Sequence, residues 1–313
     1  MRIFVAGATG AIGRRLVPML TKNGHEVVGT TRSPGKAHEV RDLGAEPAVV
    51  DGLDRDGVLE VVTQFKPDVV IHQLTAISGP PDIKHFDRYF AATNRLRTGG
   101  TDNLLAAAHQ AGVRRFVAQS YTGWPNARTG GPVKTEDDPL PTEPVKGAAE
   151  TLAAIRHTEN AVTSADFVQG LVLRYGTFYG PGNGIGRGGE MVDLLSKRRL
   201  PVVGGGAGVW SFIHIDDAAS ATVLAAEGGP EGIYNIVDDD PAPVHEWLPY
   251  LARALGAKPP LRLPAWLARP LIGEFGVIQM TQARGSSNAK ARRELGWTPH
   301  FSSWRQGFLS GLG

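Results

Sequence analysis

The chain has no cysteine among its 313 residues. Disulfides, thiol nucleophiles and thiolate metal sites are thereby excluded. Charge of one sign is equally scarce: 33 Lys and Arg against 31 Asp and Glu leave a formal net charge of +2. Nucleic acid or an anionic membrane calls for a concentrated basic patch. The short Arg-Arg pairs here read as solvated helix faces, so neither partner is expected. Long hydrophobic runs are missing too. None approaches the length of a membrane span. The opening Met1-Arg2-Ile3-Phe4-Val5-Ala6-Gly7 reaches a glycine too soon for a signal peptide. The expected location is the cytosol. The nine histidines are scattered, with no His-Glu-x-x-His spacing and no expected metal. No Gly-x-Ser-x-Gly elbow marks a serine hydrolase.

What is present is an ordinary globular composition, 42% apolar and 20% charged, long enough to bury a large core. Short apolar runs alternate with helical spacing through the first half. Ile3–Ala6, Val27-Val28, Ala48–Val50, Val69–His72 and Arg115–Gln119 read as strands. Ala11–Asn23, Asp54–Phe65 and Thr98–Ala111 read as helices, with Gly24 and Gly112 closing the first and last. Strands recur at Val168–Arg174 and Ile233–Val237, and helices at Glu190–Arg198, Asp216–Glu227 and His245–Leu255. This alternation predicts a doubly wound parallel α/β sheet of the Rossmann kind. A dinucleotide-binding domain is expected over 1–170, with returning strands from 171–180 and 210–240. Residues 181–313 are expected to form mainly a smaller substrate lobe. Pro- and Gly-rich stretches at 123–144, 180–189 and 204–208 read as loops, as does 261–284.

Gly7-Ala8-Thr9-Gly10-Ala11-Ile12-Gly13 lies between the first strand and the first helix. Gly7 permits the tight turn, Gly10 lets backbone approach a pyrophosphate, and Gly13 lets the helix pack against the sheet. The helix start offers N–H groups and a partial positive charge to phosphates. Strand before, helix after and a second strand on schedule favour a dinucleotide site over a bare βα turn. The second strand ends in Thr30-Thr31-Arg32-Ser33. An NAD site usually carries a carboxylate there for the ribose 2′-hydroxyl. Arg32 instead suits a 2′-phosphate, so NADP is expected ahead of NAD. The alternative is that Arg32 is simply an exposed loop residue. Asp51, before Gly52 and Leu53, could accept from the adenine amino group or cap the next turn.

The glycine turn resembles that of extended short-chain dehydrogenase/reductases, the group called NAD-dependent epimerase/dehydratase. So do Val69–His72 leading into Leu74-Thr75-Ala76, Asn94, Gly100–Leu105, Gly112–Val117 ending at Ser120, Leu173–Gly182 and Phe212–Ala218. The terminal Lys290–Trp297 with Pro299 completes a resemblance that runs along almost the whole chain. It implies a cofactor contacted by Gly7, Thr9, Gly10, Ala11, Ile12, Gly13, Arg32, Asp51, Leu53, Leu74, Thr75, Ala76, Asn94, Ser120, Tyr175 and Phe178. It also implies a small-molecule substrate over the nicotinamide and admits a homodimer.

The resemblance breaks at its chemical centre. The family uses a Tyr as proton donor or acceptor and a Lys four residues on to lower its pKa. The residues four beyond the six tyrosines are Thr93, Pro125, Tyr179, Asn183, Asp238 and Ala254. Aligning Glu159 with a common family glutamate puts Thr151 at the Tyr position and Ile155 at the Lys position. Ser120 stands at the family's Ser/Thr position and could orient a substrate oxygen. Candidate replacement donors are Tyr121, Tyr175 or Tyr179, and Lys134 or Lys146 reaching in from the long loop or just past it; each reads at least as well as a packed aromatic or a solvated lysine. A hydride acceptor that is already cationic, such as an iminium, needs no strong proton donor. The leading expectation is an NADP(H)-dependent oxidoreductase acting on a small organic or sugar-like molecule. An epimerase or dehydratase, and a non-redox protein keeping the nucleotide as a structural ligand, are the rivals. Elsewhere, Asp216 is expected to cap its helix, Glu136-Asp137-Asp138 to be solvated, and Trp247, Trp266 and Trp297 mostly to be core, with Trp266 and Phe275 lining an apolar substrate pocket as the alternative.

Overall fold

The computed structural model describes residues 1–313 apart from Ser78 and Pro80. Its centre is a seven-stranded sheet. The strands are β1 (Arg2–Ala6), β2 (Glu26–Thr31), β3 (Glu46–Val49), β4 (Val69–His72), β5 (Arg115–Tyr121), β6 (Gln169–Tyr175) and β7 (Gly232–Ile236). Their spatial order is β7-β6-β5-β4-β1-β2-β3, and every pairing is parallel. Chain order reverses between β1 and β4, which opens a crevice at the carboxyl ends of these two strands.

The strands read as apolar runs because both faces are covered. Ile3 and Val5 point into one core with Leu16, Val17 and Leu20 of α1 (Gly13–Lys22) and Ala218, Ala221 and Ala225 of α8 (Ile215–Glu227). Phe4 and Ala6 point into the other, with Val58 and Val62 of α3 (Arg55–Phe65), Leu104 and Ala108 of α5 (Thr101–Ala111) and Val162 of α6 (Ala149–Thr163). Each Val, Leu, Ile or Phe side chain buried this way contributes about 1.5–3 kcal/mol. The short α2 (Ala37–Asp42) crosses between β2 and β3, and α4 (Phe86–Arg95) runs towards α5.

Beyond β6 the chain builds a second core. Leu195 of α7 (Glu190–Ser196), Trp247 and Leu251 of α9 (Val244–Ala254), Val277 of α10 (Ala265–Thr281) and Trp304 and Phe308 of α12 (Trp304–Ser310) pack together. The remaining helix, α11 (Ala289–Glu294), returns to the first core through Ala291. Two parallel short strands, 177–179 and 212–214, join the two regions.

Three local expectations are corrected. Residues 261–284 are mostly the helix α10, not a loop. The helix expected at Thr98 starts at Thr101, after a π-helical turn over Leu96–Gly100 that continues α4. Asp216 does not cap α8: His214 does, its Nδ1 accepting the Asp216 N–H at 3.2 Å while Nε2 donates to the Gly311 carbonyl at 2.9 Å. Asp216 instead pairs with Arg15 at 3.1 Å, and the buried Asp217 accepts the His300 and Phe301 N–H groups. Among the described residues no helix is long and apolar enough to cross a membrane.

Candidate active site at the carboxyl edge of the sheet

At the β1 end the site is made of backbone. Gly7 has φ +97°, and its N–H donates to Thr30 Oγ1 at 2.9 Å. Gly10 N–H returns to Gly7 O at 3.1 Å, and Arg14 N–H to Gly10 O at 3.0 Å. Among the described residues nothing accepts the N–H groups of Ala11, Ile12 or Gly13. A Cβ on Gly13 would stand 2.3 Å from Gly7 O, and one on Gly7 would stand 2.7 Å from Gln73 O. These contacts let α1 and β4 close on the turn, and they leave a row of free donors at a helix start. That donor set fits the pyrophosphate of a dinucleotide. Thr9 and Gly10 are half-buried, Ala11 is exposed, and Ile12 turns its side chain into the core.

Arg32 follows β2 and is exposed, with no acceptor for its guanidinium among the described residues. Thr30 and Thr31 beside it are buried. Arg14 leans across the turn, its Nε donating to Thr9 O at 3.0 Å and its Nη2 to Glu39. Asp51 is exposed and accepts the N–H of the exposed Leu53 at 3.0 Å. After β4, Leu74 is half-buried, Thr75 exposed, and Ala76 N–H donates to Thr93 Oγ1 at 3.1 Å. His72, at the end of β4, is buried. Burial, offset in part by a bond to the Leu96 backbone, pulls its pKa down to about 4, with the nearby Arg97 charge lowering it further.

At the β5 end the site is made of side chains, and most are already committed. Ser120 Oγ donates to Glu159 Oε1 at 2.7 Å. Arg174 grips both oxygens of the same carboxylate at 2.7 and 2.6 Å. Tyr175 is 1% exposed, with its hydroxyl between Gln73 Nε2 at 3.0 Å and Thr222 Oγ1 at 2.7 Å. Burial raises its pKa to about 12. As a proton donor to a ligand it is therefore ill placed. Tyr179 is sealed in the second core, where burial pushes its pKa up. Phe178 packs 5.4 Å from the Tyr175 ring.

Tyr121 is half-buried at the tip of β5, its hydroxyl 3.0 Å from Thr177 Oγ1. Burial raises its pKa against the lowering influence of Thr177 and Arg97, so the phenol keeps its proton at neutral pH. Lys134 is buried and paired with Asp138 at 3.0 Å, and Lys146 is exposed. The acidic run is accordingly not a free solvated stretch, because Glu136 accepts the Asn235 N–H at 2.7 Å. Trp266 is 71% exposed. Phe275, by contrast, is buried 4.1 Å from Phe86 and 5.6 Å from Trp124.

At the two positions that the resemblance assigns to the acid/base pair, α6 carries Thr151 and Ile155, both buried. Thr151 Oγ1 donates to Asp87 Oδ1 at 2.8 Å and accepts from Asn94 Nδ2 at 3.0 Å. Asn94 Oδ1 is buried without a partner. A second buried side chain with an unpartnered polar atom is Arg97, which the sequence did not single out. It is 8% exposed, and its Nη1 has no hydrogen-bond partner. A single arginine in a helical stretch carries no signal of burial, since long side chains at such positions usually reach water.

A parallel sheet with a glycine turn at its switch point and a reaction edge over β4 and β5 defines a nucleotide-dependent enzyme of the oxidoreductase/epimerase type. Residues 3–237 match the NAD dependent epimerase/dehydratase family, and the chain belongs to it. A nicotinamide dinucleotide is the cofactor of that class. The 3-diazoavenalumate denitrifying reductase of a Streptomyces species is 47% identical over 98% of this chain and 99% of its own length. The UDP-glucose 4-epimerase of Mycolicibacterium smegmatis is 28% identical over 96% of this chain and 94% of its own length. Among solved structures, Thermus thermophilus UDP-glucose 4-epimerase in complex with NAD aligns with a TM-score of 0.73 and 25% identity, covering 100% of this chain and 98% of its own. The Thermotoga maritima UDP-glucose 4-epimerase shares the fold at a TM-score of 0.78 and 23% identity, covering 100% of this chain and 97% of its own.

Proposed function

We propose that this protein is an NADPH-dependent reductase that replaces the diazo group of an aromatic substrate by hydrogen. The observation that carries the reading is that Thr151 and Ile155 stand where a proton-delivering pair would be, with the Thr151 hydroxyl tied to Asp87. A carbonyl acceptor needs a proton at its oxygen as hydride arrives. An arenediazonium does not. Its carbon–nitrogen bond breaks with the electron pair leaving on dinitrogen, so one hydride added gives the arene and N2 with no proton consumed. A bound reduced nicotinamide supplies that hydride. The 47% identity to a denitrifying reductase over the full length supports the same chemistry.

Cofactor choice rests on Arg32. The end of β2 carries no carboxylate to repel a 2′-phosphate, and the exposed guanidinium has no competing partner among the described residues. Gly7, Thr9, Gly10, Ala11, Ile12 and Gly13 would hold the pyrophosphate. Asp51 and Leu53 would flank the adenine, and Leu74, Thr75, Ala76 and Asn94 the nicotinamide half. Ser120, through Glu159, would keep the β5 edge rigid.

The test is purified protein with NADPH, NADH and diazotised 3-amino-4-hydroxycinnamate. One NADPH should be oxidised per N2 released, with the deaminated arene as product. Reduction of a carbonyl panel with no N2 from the diazo compound would overturn the reading. So would isomerisation of a nucleotide sugar without net cofactor use.

A further inference from the structure

Arg97 sits in the π-helical turn Leu96–Gly100, a distortion frequent at functional positions. Its backbone is pinned: Thr101 Oγ1 and Thr158 Oγ1 both donate to its carbonyl at 2.6 Å. Helical side chains tilt towards the amino terminus, and Arg97 duly lies over Phe90 of α4, 5.8 Å from the ring centroid. Its charge is felt by Tyr121, Glu159 and His72. The guanidinium therefore stands over α4, with the Glu159 carboxylate of α6 close enough to act on its charge.

Among the described residues no group completes it. Glu159 spends its carboxylate on Arg174 and Ser120. Among the described residues Arg97 forms no side-chain hydrogen bond and no ion pair, and Nη1 is wholly enclosed. An unpaired buried cation is costly, and a single aromatic face offsets only part of that cost. Burial lowers the pKa only to about 10, so the charge persists at neutral pH. The residue keeps 8% of its surface, an edge through which an anion could reach it.

An aromatic cluster runs on from Phe90. Phe90, Tyr121 and Trp124 are half-buried, and Phe86 and Phe275 back them. Trp124 lies 6.4 Å from Tyr121 and 5.0 Å from Phe86. We propose that Arg97 is the substrate's anion anchor, taking the ionised oxygen of an arene whose ring packs on Phe90, Tyr121 and Trp124. This rests on the diazo-reductase reading for the class of substrate, and it adds a selection rule. A bare arenediazonium cation would be repelled by Arg97. One carrying its own phenolate or carboxylate would be held by that oxygen.

The test reads binding by calorimetry, without turnover, on the full chain with NADP⁺ present. Cinnamate, 4-nitrophenolate and uncharged methyl cinnamate are the probes. At least one anion should bind the wild type better than the ester, and which one does tells carboxylate from phenolate. Arg97→Met should weaken that anion about 10- to 150-fold, the value of a charged hydrogen bond. It should leave methyl cinnamate and NADPH within about threefold, on the same scale. It should also raise the thermal midpoint, because an uncompensated buried charge is removed. Arg97→Lys should retain part of the preference for the anion and keeps the question open to measurement if the Met variant misfolds. Equal anion binding by wild type and Arg97→Met, or equal losses for anion and ester, would overturn the anchor. Anion binding that depends on Arg97 without any N2 release would keep the anchor and sink the diazo reading instead.

Discussion

At the β1 end of the crevice the groups offered to a ligand are main-chain N–H bonds at a helix start and one exposed arginine. Towards β4 and β5 they are side chains, buried in Arg97, the Arg174–Glu159 pair and His72 and half-buried in Tyr121. The first arrangement costs little to leave empty, because water can reach it. The second carries charge into a region of low dielectric, where each group must be matched or must wait for a ligand. The dinucleotide end can thus stand empty at little cost, whereas a change at the substrate end disturbs groups that hold one another in place.

The sharpest way to break this contrast is Glu159→Ala. It would strand the Arg174 guanidinium in a pocket where both partners are nearly fully enclosed, and it would free Ser120. Removing one member of a buried pair costs about 3–5 kcal/mol. Urea unfolding should show a loss of that order, with Glu159→Gln losing less because a hydrogen bond to Arg174 survives. A loss below about 1 kcal/mol, the range of an exposed pair, would mean that the β5 end is no more tightly built than the surface.

Acid should expose the same asymmetry. The His72 imidazole stays neutral in the folded chain down to about pH 4, whereas an unfolded one takes a proton near its ordinary 6.5. Between those values the unfolded state binds more protons, so stability falls as the pH is lowered through the window. The two and a half units correspond to roughly 3 kcal/mol. A pH series of denaturation curves should show that loss, and His72→Gln should flatten it. An identical pH slope in the variant would remove His72 from the account.

How much of this could be read in advance divides along the same line. Gly7, Gly10 and Gly13 announce themselves because a backbone path with φ +97° at Gly7 and a 2.3 Å approach at Gly13 admits no other residue. The parallel sheet and its two covered faces followed from short apolar runs such as Ile3–Ala6. Arg97 was invisible, because its burial depends on α4, α6 and the tip of β5 meeting in space, and nothing local in Leu96-Arg97-Thr98 encodes that. The π turn that aims it is equally silent. His214 was overlooked as a cap because caps are looked for among Asp, Asn, Ser and Thr, and Asp216 stood conveniently beside it. Glu136 and Asp138 looked solvated because their partners, Asn235 N–H and Lys134, are supplied by folding.

The smallest of these effects is the most selective. Arg32→Ala touches an exposed side chain with no partner among the described residues, so stability should move by no more than about 0.5 kcal/mol. Its consequence belongs wholly to the ligand. If the guanidinium meets the 2′-phosphate, losing it removes a charge-assisted bond of about 1.5–3 kcal/mol. Fluorescence titration should then show NADPH affinity falling about 10- to 150-fold on the same scale, with NADH changed less than about twofold. The effect should shrink as salt is raised, because an exposed pair is screened over about 8–10 Å, unlike the enclosed anchor at Arg97. Equal losses for both cofactors, or no dependence on salt, would place Arg32 outside the site and leave Arg14, held by Glu39 across the same turn, as the residue to examine next.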